Sequence, residues 1–138
     1  MKKILLYLML ACIIHACNDE ITVNQVYSFD LQTLPVPKRI KQDETVEIRC
    51  KIVKEGNYAG AAYYIRYFQP DGKGDLCLDD GRVLVPNDLY LLTNNVFQLY
   101  YTSRSTDQQV IDVYIEDNQG QMVNKSFSFG NETVKKEE

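Results

Sequence analysis

The feature that most constrains this chain is the alternation of apolar and polar residues along several short segments. The clearest case is 109–116, where Ile111, Val113 and Ile115 alternate with polar, charged or aromatic residues. A period of two places every second side chain on the same face of an extended strand. The segment 45–53 repeats the pattern. These segments predict half-buried β-strands, and no segment shows the period of an amphipathic helix.

Turn-forming residues separate the predicted strands. The segment 70–74, Pro-Asp-Gly-Lys-Gly, combines a fixed proline φ with glycines that accept a positive φ. A second turn is predicted at Asp80-Gly81, between two short strands that form a hairpin. The predicted strands are 26–31, 45–53, 61–69, 76–78, 82–85, 96–102, 109–116 and a last strand through Val123, Phe127 and Phe129.

About seven short strands in one domain of this length are typical of an all-β, immunoglobulin-like β-sandwich. The antibody-type pattern of cysteine, tryptophan and cysteine is absent, because the chain contains no tryptophan. A small closed barrel stays open as the alternative architecture. We expect the core to include one inward residue from each of four strands, namely Ile48, Ile65, Val113 and Phe127.

The N-terminus has the pattern of a lipoprotein signal peptide. Lys2 and Lys3 precede an apolar run over 4–14, and Ala16 lies directly before Cys17. A basic segment, an apolar segment and a small-residue cleavage site are the three parts of such a leader. We therefore predict cleavage before Cys17, whose thiol receives diacylglycerol and anchors the chain to a membrane.

Two other interpretations of the leader stay open. Cleavage before Cys12 would leave two isoleucines on the mature chain, and an uncut leader would act as a membrane anchor. The apolar run is short for that role, which requires about 18–20 residues. The predicted organisation is a signal peptide at 1–16, a lipidated tether at 17–25, the sandwich domain at 26–130 and a disordered tail at 131–138.

The location predicted for the mature chain is the cell envelope. The acidic residues Asp19 and Glu20 follow Cys17 closely and resemble a signal for outer-membrane placement. Asn-X-Ser/Thr triplets near the C-terminus are accidental matches under this interpretation, because a lipidated cysteine indicates a bacterium.

Charge and composition exclude several classes of function. The formal net charge is −4, and removal of Lys2 and Lys3 with the leader makes it more negative, which disfavours nucleic acid as a partner. The only histidine is His15, inside the leader. Nucleophilic triads and histidine-ligated zinc are therefore unavailable to the mature chain. We predict no enzyme activity, no catalytic residues and no cofactor, with a hydrolase that uses carboxylates alone as a remote alternative.

The acidic residues in 71–80 suggest calcium, but their spacing does not fit. Lys73 occupies the third position of the candidate loop, and no glycine occupies the sixth. Two ordinary turns explain the segment better, so no metal site is predicted. For Cys50 and Cys77 the choice between a disulfide and two free thiols stays open.

One surface stands out once the strands 61–69 and 109–116 are placed side by side, as strands C and F are in a sandwich. Patches of aromatic residues with arginine are common at the hot spots of protein interfaces. We predict an interaction surface there. Alternatively, loops cover the rings, or the charged residues only pair across the strands. The outward residues are Tyr64, Arg66, Phe68 and Tyr114, with Asp112 and Glu116 beside them.

Several long segments of this chain resemble the TraQ-type lipoproteins of conjugative transposons found in Gram-negative anaerobes. The resemblance covers nearly the whole predicted mature domain and brings no catalytic or binding residues with it. It lies in 35–38, 44–50, 65–74, 86–88, 99–103, 105–109 and 111–117.

This resemblance implies an envelope lipoprotein associated with conjugation, with an immunoglobulin-like fold. The expected function is a non-enzymatic protein interaction module, whose partners are other envelope components of the transfer apparatus and whose lipid contacts the membrane. The alternative is a surface lipoprotein that binds a glycan or another small ligand. Its weakness is the absence of tryptophan, although Tyr64, Phe68 and Tyr114 offer other aromatic rings.

Overall fold

The computed structural model describes residues 27–56 and 60–132, which form two sheets of five strands each. The predicted leader, Cys17 and the tether lie outside the described residues, as do residues 133–138. No helix in the described ranges is long and apolar enough to cross a membrane. The strands are β1 (Phe29–Thr33), β2 (Arg39–Ile40), β3 (Thr45–Lys54), β4 (Tyr63–Asp71), β5 (Gly74–Leu78), β6 (Val83–Leu84), β7 (Tyr90–Leu92), β8 (Val96–Ser103), β9 (Gln109–Asp117) and β10 (Met122–Asn131).

The strand order identifies the sandwich as immunoglobulin-like. The first sheet has the order β1-β3-β8-β5-β6, and the second has the order β2-β10-β9-β4-β7. Four strands of the first sheet correspond to A, B, E and D of the immunoglobulin fold, and β4, β9 and β10 of the second correspond to C, F and G. The predicted fold class is confirmed. Seven strands have five or more residues, and the short strands β2, β6 and β7 complete the ten.

The core lies between the sheets and is built by the predicted alternation. Every second residue of β3 and β9 is buried, while the residues between them are half-buried or exposed. The four predicted core residues all belong to one buried cluster. Ile48, Ile65 and Val113 are fully buried, and Phe127 nearly so. The predicted hairpin turn at Asp80-Gly81 is also present, because β5 pairs with β6. A second hairpin turn, at 117–120, joins β9 to β10.

The segment from Pro70 to Gly74 is a crossing between the two sheets. The β4 strand continues through Pro70 to Asp71, with a break in register between Phe68 and Asp71. A proline fits inside this strand because its missing N–H falls where the ladder is interrupted. Gly72 then adopts a φ of 79°, and the chain enters the first sheet at Gly74. The prediction that the strand ends at residue 69 is therefore wrong by two residues.

A buried polar network fixes the loop opposite this crossing. Gln109 is completely buried, and its Oε1 accepts a hydrogen bond of 2.5 Å from the Tyr101 hydroxyl. Its Nε2 donates to the Ser105 hydroxyl at 2.7 Å and to the Asp107 carbonyl at 2.9 Å. A buried amide is stable when its polar atoms are paired in this way. The network therefore links the start of β9 to the loop before it.

Cys50 and Cys77 are both free thiols. Cys50 is buried on the inward phase of β3, and this burial raises the pKa of its thiol to about 12. Cys77 is half-buried and lies between the inward residues Leu76 and Leu78. Cys77 therefore faces away from the core. Of the two alternatives for these cysteines, the structure has the free thiols.

Candidate interaction surface

The second sheet places the predicted surface residues next to one another. The strands β4 and β9 are antiparallel neighbours, with Tyr64 opposite Glu116, Arg66 opposite Tyr114 and Phe68 opposite Asp112. All six side chains point away from the core, because the residues between them are the buried ones. We call this set the aromatic face. It consists of Tyr64, Arg66, Phe68, Asp112, Tyr114 and Glu116.

Two rings of the aromatic face, those of Phe68 and Tyr114, contact each other. Phe68 and Tyr114 lie on a diagonal of the sheet, with ring centroids 5.6 Å apart and an interplanar angle of 88°. This edge-to-face arrangement is a favourable one for aromatic pairs. Phe68 is 37% exposed, and Tyr64 and Tyr114 are half-buried. The Phe68 and Tyr114 rings therefore hold each other in place, while part of the surface of all three rings stays accessible.

One ion pair crosses the aromatic face. Arg66 Nη1 donates to Glu116 Oε1 at 3.3 Å, and the two side chains are 29% and 24% exposed. The Nε of Arg66 is buried and has no hydrogen-bond partner among the described residues. The predicted alternative of pairing across strands is thus realised for these two residues. The pair contributes little to stability at this exposure, about 0–1 kcal/mol, but it directs the guanidinium towards Glu116.

Exposed apolar residues extend the face on both flanks. Leu91 of β7 lies opposite Tyr64 and is 46% exposed, and Met122 of β10 lies opposite Glu116 and is also exposed. Leu89, just before β7, is exposed as well. Leu89 and Leu91 were missed because no strand was predicted at β7, whereas Met122 lies in a predicted strand for which only the inward residues were named. The alternation of Leu89, Tyr90 and Leu91 was the available signal, but the following Leu92 obscures its phase.

The outer face of the first sheet has a different character. Charged residues of both signs follow one another along β3 at Glu47, Arg49 and Lys51, and Tyr100 of β8 contributes the aromatic ring among them. An open groove of about 310 Å³ lies at this face, between the end of β1 and the start of β8. Leu34 and Val96 are exposed apolar residues that line it. This face therefore offers one aromatic ring where the aromatic face offers three.

Two of the acidic residues that suggested calcium, Asp75 and Asp80, have arginine partners. Arg82 Nε donates to Asp80 Oδ2 at 2.8 Å, and this hydrogen bond lowers the pKa of the Asp80 carboxyl. Arg104 Nε donates to Asp75 Oδ2 at 2.9 Å. In the described part of the chain, no group of three or more histidine, cysteine, aspartate or glutamate residues is placed to hold a metal ion.

The comparison with protein families gives a match over almost the entire chain. The family is described as TraQ conjugal transfer protein, and its model matches residues 1–132. The chain belongs to this family. The resemblance inferred from the sequence segments is confirmed, and the comparison with curated proteins gives no match.

Solved structures of TraQ relatives agree with the fold. A conjugative transposon lipoprotein from Bacteroides eggerthii is 42% identical, with a TM-score of 0.72, and the match covers 77% of this chain and all of that one. A lipoprotein from Bacteroides thetaiotaomicron is 52% identical, with a TM-score of 0.72 and coverage of 88% and 93%. A conjugate transposon protein from Bacteroides vulgatus is 46% identical, with a TM-score of 0.68 and coverage of 87% and 97%.

Proposed function

We propose that this TraQ family member is a lipid-anchored envelope protein of a conjugative transposon transfer system and acts as a non-enzymatic protein interaction module. The relatives described as conjugative transposon lipoproteins support the transfer system and the lipid anchor. The leader that precedes Cys17 supports the same anchor from the sequence of this chain. Its partners are other envelope components of the transfer apparatus, and the outer membrane is the proposed location.

The observation that carries the proposed docking role is the aromatic face. Its centre combines two tyrosines, a phenylalanine and an arginine held by an ion pair. Tyrosine and arginine are enriched among the residues that dominate binding energy at protein interfaces, and rings that are already ordered lose little entropy on binding. The outer face of the first sheet offers a tyrosine among several charged residues instead. The aromatic face is thus the better docking surface of the two.

The chemistry of the described residues supports a role without catalysis. Cys50 is buried, and its raised pKa leaves almost no thiolate at neutral pH, whereas the thiolate is the reactive form of cysteine. The acidic residues Asp75 and Asp80 are held by arginines. Nucleic acid is disfavoured as a partner by the net charge of −4.

Site-specific photo-crosslinking tests this proposal. The full lipidated chain is expressed in donor cells that carry the element, with p-benzoylphenylalanine in place of Phe68. We expect irradiation to join it to a component of the transfer apparatus, identified by mass spectrometry. The matched control carries the photoreactive residue in place of Tyr100, which is half-buried on the outer face of the first sheet.

Two results would contradict the proposed function. One is a product formed equally well from position 100, because the contact would then not depend on the aromatic face. The other is that the chain with the photoreactive residue at position 68 is present at its normal level but crosslinks to no transfer protein. A glycan attached at position 68 would favour the ligand-binding alternative over a protein partner.

A further inference from the structure

Asp112 is the charged residue of the aromatic face that takes part in no ion pair. Its Oδ1 accepts a hydrogen bond from the Ser126 hydroxyl at 2.5 Å, and within the described ranges no cationic side chain forms an ion pair with it. The arginine of this face, Arg66, pairs with Glu116 instead. Asp112 is also half-buried. A half-buried carboxylate with no cationic partner in its own chain attracts a cation supplied by another molecule.

Two aromatic rings adjoin this carboxylate. Phe68 lies directly opposite Asp112 in the register of β4 and β9, and its ring meets the Tyr114 ring edge to face. The negative face of an aromatic ring attracts ammonium and guanidinium groups. A carboxylate beside such rings therefore combines two attractions for the same kind of group.

We propose that the corner formed by Phe68, Asp112 and Tyr114 receives an arginine or lysine side chain of the partner polypeptide. This inference rests on the proposed function, since it names the chemistry of the segment that docks on the aromatic face. Apolar side chains of the same partner segment contact Tyr64 and Leu91, which lie opposite each other in β4 and β7 at the flank of the face. The partner segment is thus cationic at its centre and apolar beside it.

The charges on the face favour a foreign segment over a second copy of this chain. In a symmetric dimer that packs this face against itself, the cation offered by each copy is Arg66, and Arg66 already pairs with Glu116 in its own chain. The charge that the face leaves uncompensated is negative, at Asp112. A partner that supplies its own arginine or lysine compensates it without breaking an existing ion pair.

Glu47 provides a matched control on the other sheet. It lies opposite Tyr100 in the register of β3 and β8, so it too is a carboxylate beside an aromatic ring. Its Oε1 accepts from Arg49 Nε at 3.1 Å, and this contact supplies the cation that Asp112 lacks. We expect Glu47 to attract no further cationic side chain.

The test is a binding titration followed by NMR. The protein is the mature chain over 17–138 with Cys17→Ser, which removes the lipid site and leaves the rest of the mature sequence. The probe is a capped tripeptide with arginine between two leucines, and its control replaces arginine by the neutral isostere citrulline. We expect saturable shifts at Phe68, Asp112 and Tyr114 with the arginine peptide, and affinity about tenfold lower for the citrulline peptide.

Two variants decide whether Asp112 supplies the attraction. Asp112→Asn keeps a side-chain oxygen for the Ser126 hydroxyl and removes the charge, so we expect it to lower the affinity for the arginine peptide about tenfold and to leave the thermal midpoint unchanged. Glu47→Gln should leave the affinity unchanged.

Four results would overturn the inference. These are equal affinity for the arginine and citrulline peptides, unchanged affinity in Asp112→Asn, no saturable shift on the aromatic face, and shifts spread over the carboxylates of both sheets. A dimer that Asp112→Asn abolishes would identify a second copy as the occupant and would also overturn it. The proposed function is judged separately, because the crosslink from position 68 depends on contact and not on the charge of the partner.

Discussion

The phase of a residue within its strand sets the chemistry of its side chain in this domain. Cys50 lies at an inward position of β3 and Cys77 at an outward position of β5, so one thiol is part of the core and the other reaches solvent. Burial disfavours the charged thiolate, which is why the pKa of Cys50 rises to about 12. The same alternation places Arg66 outward between Ile65 and Tyr67, which are buried.

The two thiols should therefore differ sharply in reactivity. In the soluble mature chain with Cys17→Ser, these are the two cysteines present. At about pH 8 we expect a thiol reagent to label Cys77 readily and Cys50 only after denaturation, because reaction requires an accessible thiolate. Mass spectrometry of the labelled peptides measures both rates. Equal rates in the native protein would contradict the burial of Cys50.

The sequence predicts the phase of these residues but not their partners. Alternation alone indicates that Arg66 faces outward with Tyr64 and Phe68. Two carboxylates, at Asp112 and Glu116, then lie within reach on β9. Arg66 pairs with Glu116 on the diagonal, and this choice depends on side-chain geometry that a pattern of residue types does not contain.

At the scale of elements, the long strands were predictable and the short ones were not. Strands such as β3 and β9 bury every second residue, so their own sequence carries the signal. The β2 strand has two residues and β7 has three. Their pairing with β10 and β4 depends on where those strands lie in the fold. No period of two can be recognised in so few residues, and the surface residue Leu91 was missed for this reason.

The crossing from β4 to β5 leaves no room for a side chain at Gly74. A Cβ there would lie 2.6 Å from the carbonyl oxygen of Thr102 and against the Tyr101 ring. We expect Gly74→Ala to destabilise the domain by about 1–3 kcal/mol, because a β-strand carbonyl cannot move away at little cost. Urea unfolding of the soluble mature chain measures the change.

Gly130→Ala is the control for this prediction. Gly130 also lies in a strand, β10, but its added Cβ would meet its nearest neighbours at 3.7 Å, an ordinary contact distance. We expect Gly130→Ala to leave the free energy of unfolding unchanged or slightly higher, since alanine loses less conformational entropy than glycine on folding. Similar losses in the two variants would show that the crossing is not tightly packed.

At the scale of the molecule, the sandwich presents two outer faces of different composition. The sequence predicts the residues of the aromatic face, because the C and F strands are neighbours in any immunoglobulin-like sandwich. It does not predict Leu91 and Met122, which extend the face on the flanking strands β7 and β10. The contrast with the charged outer face of the first sheet also becomes visible only once both sheets are assembled.

The most direct test of the docking face is the transfer frequency of donor cells that express Tyr64→Ala together with Tyr114→Ala. Both side chains point away from the core, so the thermal midpoint should stay nearly unchanged. Truncation of a hot-spot residue costs about 2 kcal/mol or more in binding, so we expect transfer to fall about tenfold or more. Tyr100→Ala, on the other sheet, should transfer normally. Normal transfer by the folded double variant would contradict the docking role of the aromatic face.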